Sequence, residues 1–310
     1  MTLLLLALMA EPLGYTCPRT AAPLKIDGKI DEQWKLAPWT SDFVDIEGAA
    51  KPLPRYRTRA RMMWDAQYFY IAAELSEPHV WGTLKKHDSV IFQDNDFEVF
   101  VDPNGDSHEY FEFEINALNT SWDLFLPKPY KDGGSADNGW EIPGLRTAVA
   151  VRGTLNDSRD LDDGWSVEIA IPWGAFGARA RRPLPPRDGD QWRVNFSRVE
   201  WVHELVGGKY RRVPGRKEDN WVWSPQGKVN MHLPERWGYV QFGGEFKPDG
   251  TWGIREKLQT YYQQQVDFRK SKKRWASDAE LPTALKVART AVGWQACEGP
   301  VCIRQDALIR

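Results

Sequence analysis

Glu98, Glu112 and Glu114 stand at alternate positions of two short runs, FEVFVD (97–102) and YFEFEIN (110–116), separated by a segment that opens with DPNGD (102–106). Period-two alternation puts Phe97, Val99 and Val101 on one face of the first run, and Glu98, Phe100 and Asp102 on the other. In the second run Phe111, Phe113 and Ile115 oppose Tyr110, Glu112, Glu114 and Asn116. With both apolar sets turned to a core, the opposite face carries carboxylates and an amide beside two aromatics. Three readings stay open: an exposed polar sheet face, a carboxylate pair for glycoside hydrolysis, or a row of acceptors for a polar ligand. The chain has no GxSxG, HExxH or CxxC motif and five His in all, so ligand binding is preferred to catalysis. In DPNGD, Asp102, Asn104 and Asp106 place oxygens at alternate positions, the spacing that begins a calcium loop. Two readings stay open there, a plain hairpin turn, since Asp-Pro and Asn-Gly are ordinary turn formers, and a structural calcium.

A second cluster, WRVNFSRVEW (192–201), alternates in the same way, with Arg193, Asn195, Ser197 and Val199 on one side and Arg198 placed where the strand leaves its sheet. The tract NWVWSPQGKVNMH (220–232) adds Trp223, Met231 and His232 in a loop-rich setting. Sugars need short directional hydrogen bonds and flat rings on which their apolar faces stack. Phe92, Trp122, Trp223 and His232 are the stacking candidates; Glu98, Glu114, Asn116, Asn195 and Arg198 are the hydrogen-bonding candidates.

These residues must be carried by strands. From Leu24 to Phe242 short aromatic and β-branched runs alternate with Gly, Pro, Asn and Asp, the pattern of an all-β protein. Strands are expected at 58–64, 68–75, 97–102, 110–116, 147–151, 165–171, 192–199, 221–224 and 238–242. So many in series favour two antiparallel sheets packed as a sandwich. After GGEFKPDG the spacing of Ile254, Leu258, Tyr261 or Tyr262, and Val266 predicts a helix over 253–268, followed by the basic run RKSKKRW, read as a solvated helix end. Residues 250–310 are expected to form a partly helical appendage.

The 310 residues hold 41 Lys+Arg against 43 Asp+Glu, a balance that argues against nucleic-acid binding. MTLLLLALMA is too short to span a bilayer and resembles the apolar part of a secretory signal without its leading cation. A leader over 1–20 and an exported (secreted or periplasmic) protein are expected. Of three cysteines, Cys297 and Cys302 in CEGPVC are close enough to close a small disulfide loop in an exported chain.

IDGKIDEQW (26–34), MWDAQYFYIAAEL (63–75), DNDFEVFVDP (94–103) and GWSVEIAIPW (164–173) resemble the family 9 carbohydrate-binding modules, as do RVNFSRVEW (193–201), WVWSPQG (221–227) and MHLPERWGYVQF (231–242). The resemblance covers roughly 24–242. It implies an immunoglobulin-like β-sandwich related to DOMON domains, export, and binding of plant-type glycans such as xylan or glucan oligosaccharides, with structural calcium in some members. In sugar-binding members two Trp rings sandwich the sugar; by spacing those places fall here on Phe92 and on Met231, beside His232. Glu98 matches the strand Glu of those members, while their Arg-x-Asn pair becomes Glu114 and Asn116, and their later amide falls on Ser197. Two other functions stay open: a glycan-active hydrolase using the acidic face and, from the DOMON likeness, a haem-binding redox protein using Met62, Met63, Met231 or His232.

Overall fold

The computed structural model describes residues 12–291 and 293–310. The first seven strands are β1 (Gly14–Cys17), β2 (Val44–Asp45), β3 (Thr58–Trp64), β4 (Tyr68–Leu75), β5 (Asp96–Asp102), β6 (Tyr110–Asn116) and β7 (Ser121–Leu126). They are followed by β8 (Arg146–Arg152), β9 (Gly164–Pro172), β10 (Gln191–Glu200), β11 (His203–Val206), β12 (Lys209–Arg212), β13 (Asp219–Val222) and β14 (Gly238–Phe242). The larger sheet has the order β1-β14-β10-β5-β6-β7, with β13 also paired to β10 and β2 to β13; the smaller is β3-β4-β9-β8. The protein is a β-sandwich, with one departure from the antiparallel expectation: β1 runs parallel to β14.

Alternation explains the core. Phe97, Val99, Val101, Phe111, Phe113, Ile115, Trp192, Val194 and Phe196 of the larger sheet meet Met62, Phe69, Ile71, Val167 and Ile169 of the smaller in one apolar cluster. Removing such side chains from water is the main term that stabilises the sandwich. The outer face of the smaller sheet is covered by residues 24–37, where Leu24, Trp34 and Ala37 pack on Met63, Tyr70, Ala72 and Ala170.

One buried carboxylate holds that cover in place. Glu168 Oε2 accepts the backbone N–H groups of Asp27 and Gly28, both at 2.7 Å. Its Oε1 accepts from Trp34 Nε1 at 2.6 Å and Gln33 Nε2 at 3.2 Å. Two of the sequence motifs, IDGKIDEQW and GWSVEIAIPW, therefore meet at one latch. Gly28 has φ +85°, and a Cβ there would stand 2.7 Å from the backbone of Val149 and Ala150, so the tight approach requires glycine. Glu168→Ala leaves four donors without their acceptor, two of them buried, and lowers stability by about 2–3 kcal/mol, measurable by urea denaturation.

β1 places Tyr15 and Cys17 in the main core, and burial pushes the Cys17 thiol well up. The leader expected over 1–20 thus overlaps a strand of the sandwich; its apolar run 1–10 lies outside the described residues. No helix among the described residues is long and apolar enough to cross a membrane.

The C-terminal part is a helix, Trp252–Lys272, and a three-stranded sheet of β15 (Lys286–Thr290), β16 (Gly293–Glu298) and β17 (Val301–Arg304). Leu258, Tyr261 and Tyr262 of the helix pack on Trp294, Ala296, Val301 and Ile303, and a Cys297–Cys302 disulfide joins β16 to β17. The three strands were not foreseen from the sequence. This part docks on the sandwich: Ile309 N–H donates to Asp106 O at 3.2 Å, and Arg255 Nη1 to Gly105 O at 3.0 Å. The basic run closes the helix, where cations complement the dipole. Arg269, Lys270 and Lys273 line a surface cavity of about 680 Å³ with Lys128 and Lys131.

Candidate functional site

The acids of the opening hairpin lie on the outer face of the larger sheet, as alternation requires, but they are not exposed. Asp96, Glu98, Glu112 and Glu114 are each at most 4% accessible. Strand register builds a single row across four strands: Ser197 pairs with Glu98, Glu98 with Glu114, and Glu114 with Trp122. Asp96 and Glu112 flank it on the same face. The 3-10 turn Ile91–Gln93 packs on β6 at one side, and the Phe92 N–H donates to Glu114 Oε2 at 2.9 Å. At the other side Phe100, Tyr110, Leu124, Met231 and Trp237 form a second apolar cluster against which Trp122 rests. Tyr130, 46% exposed, meets His232 edge-on with ring centroids 4.5 Å apart.

Like charges opposite one another on a sheet repel, and the row responds by holding protons. Burial pushes the Glu98 carboxyl up to about 7, a rise that the neighbouring Ser197 hydroxyl opposes. Burial, and then the charge of Glu98, raises Asp96, Glu112 and Glu114 well above the carboxylate range. Burial likewise holds His232 down to about 4, neutral near pH 7, and raises the Tyr130 phenol to about 12 with help from Glu112 and Glu114. Protons bound more tightly in the folded state stabilise it at low pH. The Glu98 contribution is fully present below the ordinary Glu value of 4.5 and is lost as pH rises through about 7. Urea denaturation at pH 5 and pH 8, with chelator present, is expected to show a loss of stability in the wild type that is smaller in Glu98→Gln by on the order of 3 kcal/mol, the other three acids supplying the rest.

Several residues expected at this site have other tasks. Arg198 points into the sandwich, not out of it. Its guanidinium binds Glu77 Oε2 at 2.7 Å and Glu200 Oε2 at 2.8 Å, and donates to Thr58 Oγ1 at 3.1 Å and Ser76 O at 2.9 Å. Asn195 is on the outer face, but its amide exchanges two 2.9 Å bonds with the backbone of Ser224. Asn116 is used in full: its Nδ2 donates to Leu84 O and Asp94 Oδ2, and its Oδ1 accepts from Leu118 and Thr120. Trp223 is core, edge-on to Tyr15. Met231 fills the outer cluster, and His232 Nδ1 is engaged with the Tyr110 hydroxyl at 3.0 Å. Phe92 packs with Trp81, Val199 and Trp201.

Of the residues named for haem, Met62, Met63 and Met231 belong to three separate apolar clusters, so the methionines do not converge on one site. In the DPNGD turn the oxygens serve the turn itself. Asp102 accepts from the N–H groups of Gly105 and Ser107, Asn104 from Asp106, and Asp106 from His108. Asp106 Oδ2 also receives Arg310 at 3.2 Å, so this loop anchors the C-terminal part. What remains on the outer face is Glu98 and Glu114 with Trp122, Phe92 and His232 at the rim. The structure adds Asp96, Glu112, Ser197 and Tyr130. Glu112 and Ser197 were legible from alternation and register. Tyr130 sits in a loop, PKPYKDGG, that carries no periodic signal.

Comparison with known proteins agrees with this architecture. The model of the carbohydrate family 9 binding domain-like family matches residues 26–189, a span that holds both the Glu168 latch and the Glu98–Glu114 hairpin. The chain belongs to this family. Its sequence is 29% identical over 151 residues to exoglucanase XynX of Acetivibrio thermocellus, covering 48% of this chain and 11% of that protein. It is 27% identical over 148 residues to endo-1,4-beta-xylanase A of Thermoanaerobacterium saccharolyticum, again 48% of this chain and 11% of the other. The family 9-like chain thus spans about a tenth of the length of these relatives. A solved structure from Bacteroides uniformis, named for carbohydrate binding, superposes with a TM-score of 0.55 at 14% identity, over 75% of this chain and 100% of its own. That likeness is one of fold.

Proposed function

We propose that the protein binds oligosaccharides of the xylan or glucan type on the outer face of the larger sheet. The observation that carries this reading is the in-register row Ser197–Glu98–Glu114–Trp122, in which buried acceptors end at a part-exposed ring. A carboxyl accepts hydroxyl protons from a sugar and, when protonated, donates its own, and an indole covers the apolar face of a pyranose. Tyr130 and His232 supply further ring edges beside the acids. The kinship with xylanase and exoglucanase segments supports xylan- or glucan-type glycans as the ligand class, and the Cys297–Cys302 disulfide suits an exported setting.

A hydrolase finds less support on this face. Burial raises Asp96, Glu98 and Glu114 together, whereas an acid and a nucleophile need one carboxyl held protonated and the other held ionised. Isothermal titration of the purified protein with xylo- and cello-oligosaccharides tests the proposal. Saturable binding by at least one series is expected. Absence of heat across both, up to millimolar ligand, removes the reading, and release of reducing sugar from xylan or glucan would replace it with the hydrolase.

A further inference from the structure

Away from the outer face, a second cluster sets one imidazole among carboxylates. His87 and Asp88 come from the segment between β4 and β5, Asp123 from the edge strand β7, and Glu141 from the segment between β7 and β8. His87 Nε2 lies 3.1 Å from Glu141 Oε2, 3.3 Å from Asp88 Oδ1 and 3.6 Å from Asp123 Oδ1. His87, Asp88 and Glu141 each offer one ligand atom, all within 4.8 Å of one another. Ligands about 2.0–2.2 Å from a tetrahedral Zn²⁺ stand about 3.3–3.6 Å from each other, so the three distances from Nε2 suit one coordination sphere. Asp123 pairs across strands with the core residue Phe113. The cluster therefore lies on the side of β7 away from Trp122 and the row of acids.

An independent observation points to a ligand here. Asp123 is 1% accessible, and its Oδ1, the oxygen facing the ring, has no hydrogen-bond partner. At 3.6 Å the imidazole is too far to be one. Asp123 Oδ2 is fixed by the Ile142 N–H at 2.5 Å, so a backbone bond holds the carboxylate while Oδ1 faces the cluster. On the other edge of the imidazole, Nδ1 is 2.9 Å from Ser121 O. A carbonyl can only accept, so Nδ1 carries a proton and Nε2 is the nitrogen turned to the carboxylates. Metal-ligating histidines are oriented by just such a bond from their other ring nitrogen. Charge agrees with geometry. Three carboxylates surround one imidazole, and among the described residues no Lys or Arg pairs with them. Negative charge stays in surplus even with the ring protonated, and a dication balances it.

We infer that His87, Asp88, Asp123 and Glu141 form a binding site for one borderline-soft divalent cation, Zn²⁺ foremost. The imidazole nitrogen disfavours Ca²⁺ and Mg²⁺, which take oxygen ligands. Four protein ligands make a closed, structural site in place of a catalytic one. The ion pins two connecting segments to the edge strand β7. The inference does not need the glycan reading, because none of its residues belongs to the outer face.

The test uses the full chain, stripped with chelator and titrated with Zn²⁺ at neutral pH in competition with a chromophoric chelator. One equivalent is expected to bind, and the His87 Nε2 resonance is expected to shift in a ring-nitrogen NMR spectrum. The thermal midpoint is expected to rise by about 5 °C once free Zn²⁺ exceeds its dissociation constant a hundredfold. Ca²⁺ is expected to leave the His87 resonance unmoved. His87→Gln and Glu141→Gln alter side chains that are 47% and 58% exposed, so both are expected to fold as the wild type does and to bind Zn²⁺ at least about tenfold more weakly. The rings of His79 and His203, 4.9 Å apart, are the other place where imidazoles meet. His203→Gln is therefore the control and is expected to keep the wild-type response. No uptake of Zn²⁺ by the wild type overturns the inference and leaves a protonated His87 as the partner of the three carboxylates. Binding that survives unweakened in His87→Gln or Glu141→Gln, or is lost in His203→Gln, overturns it equally and moves the metal elsewhere. A His87 shift as large with Ca²⁺ as with Zn²⁺ overturns the choice of ion.

Discussion

Arg198→Met is expected to lower the unfolding free energy by about 3–5 kcal/mol, the usual cost of leaving a buried charge without its partner. The reason is the arrangement around the guanidinium. Glu77 and Glu200, each 2% accessible, both rely on it, and burial already raises the Glu200 carboxyl to about 8 with the arginine present. Its remaining donors reach Thr58 on β3 and the Ser76 carbonyl just beyond β4, so one residue of the larger sheet ties down the edge of the smaller. The rings of Trp221 and Tyr56 cover it at 5.2 and 5.7 Å. Chemical denaturation of wild type and variant measures the loss. Arg198→Met combined with Glu77→Gln and Glu200→Gln is expected to recover a large part of it, because the uncompensated charges are then gone. If the account is right, the single variant keeps its glycan affinity wherever it remains folded, since the guanidinium points away from the outer face.

Glu98→Ala is expected to weaken oligosaccharide binding by about ten- to a hundredfold, the range for losing one or two hydrogen bonds to a buried carboxyl. Glu98 is central in the row, with Ser197 on one side and Glu114 on the other, and its Oε2 has no protein partner. Trp122→Ala should weaken binding by a comparable factor through loss of stacking, whereas Trp223→Phe should leave it unchanged, because that ring is sealed in the core. Calorimetric titration of the three variants against the oligosaccharide preferred by the wild type separates these outcomes. Equal loss in Trp223→Phe and Trp122→Ala would mean that general destabilisation is being read.

Much of the sandwich is legible in the chain. Thr58–Trp64, Tyr68–Leu75, Tyr110–Asn116 and Gly238–Phe242 have the bounds that alternation and flanking turn residues assign. The strands that escaped are instructive. The β11–β12 hairpin is polar, HELV and KYRR, so hydrophobic period shows nothing, although Gly207-Gly208 between them is a turn signal and both adopt positive φ. β15–β17 are short and mostly exposed on one strand, and their partner is a helix twenty or more residues earlier.

The site was legible in its face but not in its occupants. Counting by twos from Phe196 already sets Arg198 on the inner side, yet a buried arginine looks implausible until Glu77 arrives from another segment to join Glu200 of the same strand. Asn195 and Asn116 have the residue types that sugars favour, but their hydrogen bonds go to backbone that only the folded loops bring near. The DPNGD oxygens resemble ligands by spacing and are turn acceptors by geometry. Acidic clustering was therefore a true signal, while the burial of all four acids depends on loops from three other parts of the chain.

The most direct measurement of where a glycan binds is a backbone amide chemical-shift map of the protein titrated with xylotriose or cellotriose. Saturable shifts are expected, centred on Glu98, Glu112, Glu114, Trp122, Tyr130 and His232, with little change around Asp102–Asp106. Saturable shifts confined to the basic cavity formed by Lys128, Arg269 and Lys273, with the outer face silent, would contradict it.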